Sequence, residues 1–111
     1  MFNGLWTIEF ISTMNRFGAG VLVLNNGRLL GGDNGYYYLG NYDVNDDNIR
    51  GTVAIIRFNK NVVSVFGDVD QFSLTFAGQI KPDSVEAVAS FDNTPDLKIR
   101  IICKKKVNLS C

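Results

Sequence analysis

A chain of 111 residues carries eleven basic and eleven acidic side chains, 46% hydrophobic and 20% charged residues, and no histidine. That length fits one domain burying roughly two-thirds of its unfolded surface, and the balance excludes a disordered or fibrous chain. With no net charge, no field steers the chain to nucleic acid or an anionic membrane, so neither is expected as a partner.

The opening segment Met1–Glu9 lacks the basic and long apolar stretches of a signal peptide. No apolar run reaches the roughly eighteen residues of a membrane helix. The expected location is therefore the cytoplasm. Trp6–Phe10 alternates apolar and polar residues, which predicts a strand with Glu9 turned to water. A second, glycine-loosened strand over Phe17–Leu24 ends at Asn25-Asn26-Gly27. Asn-Gly suits the positive φ angles of a type I′ turn, so Arg28–Leu30 should fold straight back.

Gly31-Gly-Asp-Asn-Gly35 reads as a second turn leading into Tyr36–Tyr42, a strand of β-preferring aromatics. Tyr36 and Tyr38 share one face and Tyr37 shares the other with Leu39, the pattern of a strand buried inside and covered outside by a partner. Asp43–Asn48 reads as a polar connection, followed by a nearly continuous apolar strand over Arg50–Phe58. In the stretch from Asn59 to Asp70, Val62, Val63, Val65 and Phe66 are too apolar for a plain surface loop. They predict a short helical turn near residues 62–67, or a lid plugging one end of the fold. Gln71–Ile80, Val85–Phe91 and Leu97–Lys104 complete the set.

Eight short strands with turn signals every eight to twelve residues predict an all-β protein. Sequential antiparallel pairing is the simplest topology, and an eight-stranded up-and-down barrel removes both edges; a sandwich or half-open barrel is the alternative. In a barrel, Trp6, Ile8, Phe10, Phe72, Leu74, Phe76 and Phe91 face inward. They either fill the interior as core or line a pocket for one small apolar ligand. Lys98, Arg100, Lys104, Lys105 and Lys106 read as the solvated face of the last strand. Cys103 and Cys111 form no secreted disulfide framework and are expected as free thiols.

The residues spell out no reaction. Without histidine the usual serine and cysteine triads and most zinc sites are excluded. A calcium loop starting at Asp43 would need glycine where Asn48 stands and glutamate where Ala54 stands. The Gly31–Gly35 run lacks the Lys-Ser/Thr and following helix of a phosphate-binding loop. No enzyme activity, cofactor or metal is expected.

Gly18-Ala-Gly-Val-Leu-Val-Leu-Asn-Asn-Gly27-Arg-Leu-Leu-Gly-Gly-Asp33-Asn-Gly-Tyr36 through Gly40-Asn-Tyr42, with Asn3–Phe10 and Ser64-Val-Phe-Gly67, resembles the GrlR-like family over about two-thirds of the chain. The family is named for a negative regulator of type III secretion genes in attaching-and-effacing enteric bacteria. The resemblance implies a small, cytoplasmic, lipocalin-like β-barrel, found as a homodimer and without catalytic activity. It also implies repression of transcription by binding a transcriptional activator through an acidic Glu-Asp-Glu-Asp loop. Here the corresponding loop reads Asn45-Asp46-Asp47-Asn48, so Asp46 and Asp47, with Asp43 beside them, are the implied partner-binding residues. A carrier or sensor of a small apolar ligand is the alternative function.

Overall fold

Each alternating stretch becomes a strand in the computed structural model, which describes residues 2–12, 17–64, 69–92 and 94–109. The strands are β1 (Gly4–Ser12), β2 (Phe17–Asn25), β3 (Arg28–Gly32), β4 (Tyr36–Asn45), β5 (Asn48–Arg57), β6 (Gln71–Ile80), β7 (Ser84–Phe91) and β8 (Thr94–Asn108). Every strand pairs antiparallel with the next, and β1 returns to β8 from Gly4 opposite Asn108 to Ser12 opposite Ile99. The sheet is therefore a closed barrel without an open edge. The expected eight-stranded barrel is the fold, and the described residues contain no helix.

The pleat decides what lies inside. Trp6 and Ile8 of β1, Leu22 and Leu24 of β2, Tyr36, Tyr38 and Tyr42 of β4, and Phe72, Leu74 and Phe76 of β6 are buried. Their neighbours Glu9, Arg50, Thr52, Ser73 and Thr75 are exposed. Burying large apolar side chains contributes about 1.5–3 kcal/mol each and sets the register, because a one-residue slip would turn every one of them outward. No helix among the described residues is long and apolar enough to cross a membrane.

One barrel end carries the Asn26–Gly27, Asp46–Asp47 and Lys81–Asp83 turns. Asn26 and Gly27 take φ of 50° and 88°, as the type I′ reading requires. Phe2 floors the interior at this end. Its ring lies 5.2 Å from that of Trp6 and 5.5 Å from that of Tyr42, and its carbonyl accepts the indole N–H at 3.2 Å.

Two expectations are corrected here. Asp43–Asn48 is not a loose connection: β4 runs on to Asn45, β5 begins at Asn48, and Asp43 pairs with Arg50 across the strands. The turn is only two residues because Asp46 adopts φ 56°, a left-handed conformation that aspartate tolerates. In the long connection, Val62 and Val63 are not helical; a single turn precedes them, with the Val62 amide donating to the Asn59 carbonyl at 3.1 Å. Residues 65–68, and with them the rest of the expected helical turn, lie outside the described residues, as does Cys111.

Candidate functional site: an apolar cavity and two outer surfaces

Above the Phe2 floor the barrel is not completely filled. A cavity of about 190 Å³ is walled by Ile8, Phe10, Leu22, Val53, Leu74 and Phe76, among others from every strand. Gly18 of β2 and Ala87 of β7 are among the small residues of its lining, and the room that Gly18 leaves is taken by the Phe10 ring, which a Cβ there would strike. Of the seven inward candidates, Ile8, Phe10, Phe72, Leu74 and Phe76 line this cavity. Trp6 belongs to the floor, and Phe91 packs edge-on against Phe72 at 5.1 Å, outside the lining. Both are therefore packing residues.

At the end opposite the floor, the described lining is Phe17, Gly18, Asp33, Asn34, Val62, Val63 and Ser64. Asp33 organises this rim. Its Oδ1 accepts the Gly35 and Tyr36 amides at 2.9 Å each, and its Oδ2 accepts the Tyr38 hydroxyl. Burial, then the adjoining Asp33 carboxylate, push the Tyr38 phenol far above its ordinary range, so it stays a neutral donor. The alternation and turn signals mark Gly31–Gly35 only as a turn and do not single out Asp33. An aspartate two residues before the turn glycine is the available signal, because such a side chain caps its own turn.

The connection that reaches the rim is tied to the barrel by Arg57, whose side chain is 8% exposed. Nε and Nη2 donate to Asp70 Oδ1 at 2.9 and 2.5 Å, and Nη1 donates to the Val62 carbonyl at 3.3 Å. One guanidinium thus holds both arms of the connection. This role is not visible in the sequence, because Arg57 and Asp70 are paired only by the fold.

The acidic residues sit at the floor end. Asp46 and Asp47 form the exposed hairpin tip, and Asp43 is exposed on β4 opposite Arg50. The structure does not leave them as a purely negative patch. Asp46 and Asp47 border a surface groove shared with Lys81, Asp83, Lys105 and Lys106, so positive side chains stand beside them. Glu9 faces solvent as expected.

A second surface runs around the outside of the barrel. Exposed Leu30 pairs with exposed Leu39, flanked in the same register by Val23 and Ala54. One row along, exposed Tyr37 pairs with Ile56, and its ring lies 6.4 Å from that of exposed Phe58. These rows form an outward apolar band across β2–β5, where a water-facing strand would carry polar residues.

No group of three or more Asp, Glu or Cys side chains converges to hold a metal among the described residues. The class defined by the fold and these surfaces is a closed eight-stranded antiparallel barrel with an apolar interior cavity. Compared with known proteins, the sequence matches no family model and no curated protein significantly.

Proposed function

We propose that this chain is a non-enzymatic regulatory protein that acts by binding other proteins: a second copy of itself, and a partner such as a transcriptional activator. The reading rests on the resemblance of Gly18–Tyr42 to GrlR-type negative regulators, and a cytoplasmic role in control of secretion genes is part of it. The single structural observation that supports it is the outward band of Leu30, Tyr37, Leu39 and Phe58, an apolar surface of the kind that protein interfaces cover. The exposed Asp46–Asp47 tip supplies a separate, more polar contact for the activator.

Sedimentation and pull-down test the two contacts independently. The wild type is expected to sediment as a dimer and Leu30→Lys/Leu39→Lys as a folded monomer. Asp46→Asn/Asp47→Asn is expected to remain dimeric and to lose a DNA-binding activator from the proteins captured in its native cell. A wild type that stays monomeric at high concentration, together with identical capture by all three proteins, would sink the proposal. The cavity of about 190 Å³ favours a second reading, a carrier or sensor for a small apolar molecule held inside the barrel.

A further inference from the structure

The interior cavity has a chemical bias that the apolar character of its walls does not by itself reveal. Among the described lining residues one side chain is charged, the rim carboxylate of Asp33, and none is basic. The nearest base on β5, Arg57, has its guanidinium engaged by Asp70 and the Val62 carbonyl. No buried side-chain nitrogen or oxygen among the described residues lacks a hydrogen-bond partner. Among the described residues the deep lining offers no charged side chain, so a bound molecule is held there mainly by apolar contact.

Resting on the carrier or sensor reading, we infer that the barrel takes one uncharged, mainly apolar molecule of about eight non-hydrogen atoms and discriminates against carboxylate-bearing chains of the same length. The size follows from the volume: cavities of about 150 Å³ admit benzene, and this one is about 190 Å³. The discrimination follows from Asp33. A molecule seated with its apolar end against Leu74 and Phe76 brings its other end to the rim formed by Asp33, Asn34 and Ser64. A hydroxyl there stays in reach of water and polar side chains. A carboxylate there meets a fixed like charge and no cation from the described lining, which raises its free energy at short range in a partly desolvated site. Against the described lining, fatty acids are therefore the wrong class of ligand, despite the barrel's shape.

Methyl-detected NMR titration of the intact protein with 1-octanol and with octanoate, below their aggregation limits, tests the inference. Octanol is expected to shift the Leu22, Val53 and Leu74 methyls at one-to-one saturation and to give nuclear Overhauser contacts to Phe72 and Phe76. Octanoate is expected to bind at least about tenfold more weakly, the scale of a single screened like-charge contact. Asp33→Asn, which keeps a carbonyl acceptor in the turn, is expected to narrow that gap. Equal binding of the two probes by the wild type overturns the ligand class and leaves the carrier reading standing. Binding of neither probe, or octanol binding without contacts to Phe72 and Phe76, overturns the carrier reading itself. Val53→Phe fills the cavity and is expected to abolish octanol binding while retaining the barrel's circular dichroism.

Discussion

Tyr38 and Asp33 are locked together across the β3–β4 turn: the buried phenol donates to Asp33 Oδ2 while Oδ1 accepts two turn amides at 2.9 Å. The pair fixes both the turn and the cavity rim, so the two residues should be coupled in stability. Tyr38→Phe removes one donor and leaves a half-buried carboxylate oxygen unmatched, at an expected cost of about 1–2 kcal/mol. Asp33→Ala frees two amides and the phenol at once and should cost more, about 3 kcal/mol. Urea unfolding of both single variants and the double variant gives the coupling, expected near 1 kcal/mol. Strict additivity would mean that this hydrogen bond does not stabilise the barrel.

Much of the barrel is legible in the alternation of β1, β6 and β7, which bury one face and expose the other, whereas β2–β5 are apolar on both faces over part of their length. The Asn26-Gly27 turn is equally legible, since its backbone requirement is local. What escapes the sequence is what the fold alone creates. The end of β4 looks polar and hence loose, yet outward Asp43 and Asn45 are polar because they face water while still pairing in the sheet. Trp6 and Phe91 have the expected inward face, but depth along the strand is not written in the alternation, so one is floor and the other side packing. Asp33 and Arg57 become site residues through contacts of 5 and 13 residues in sequence separation, which no single motif encodes.

Gly35 is required for room. A Cβ at this position would lie 2.4 Å from Val62 Cγ1 and 2.5 Å from Val62 Cβ. Its carbonyl also accepts the Phe58 and Asn59 amides at 2.9 and 3.2 Å, so the backbone there cannot easily retreat. Gly35→Ala should therefore destabilise the barrel by about 1–3 kcal/mol, as overpacking does, and lift Val62 from the cavity rim. In a Val62→Gly background the same substitution should cost at least about 1 kcal/mol less. Thermal unfolding of the four proteins measures this, and an undiminished cost would place the strain elsewhere.

Asp46 holds the two-residue β4–β5 turn with φ 56°. Aspartate, asparagine and glycine accept that conformation, whereas a residue without a short polar side chain loses about 1–2 kcal/mol there. Asp46→Asn and Asp46→Gly should hold stability within about 0.5 kcal/mol, and Asp46→Ala should lose about 1 kcal/mol, read from unfolding midpoints. The difference bears on partner binding, because an alanine variant would confound loss of charge with a loosened hairpin. Equal stability of the alanine and asparagine variants would show the turn to be indifferent to the residue at this position.

Cys103 lies on the inner face of β8 as a buried free thiol, and burial pushes it from 9.0 up to about 12. The unfolded chain releases this proton near pH 9 while the folded barrel keeps it, so the folded state binds more protons as pH rises from 9 towards 12. Stability from this group is complete below pH 9 and falls above it, by about 1.4 kcal/mol per pH unit. Tyr38, also shifted upward by burial, joins only above its ordinary value of 10.0. Between pH 9 and 10 the thiol therefore dominates this pair, and that interval separates them. Urea unfolding should give a flat midpoint from pH 7 to 8.5 and a decline above 9. Cys103→Ala should be about 1 kcal/mol less stable at pH 7, because the sulfur no longer packs into the core, but should decline less steeply between pH 9 and 10. Parallel curves for the two proteins would mean that the buried thiol is not what makes the barrel alkali-sensitive.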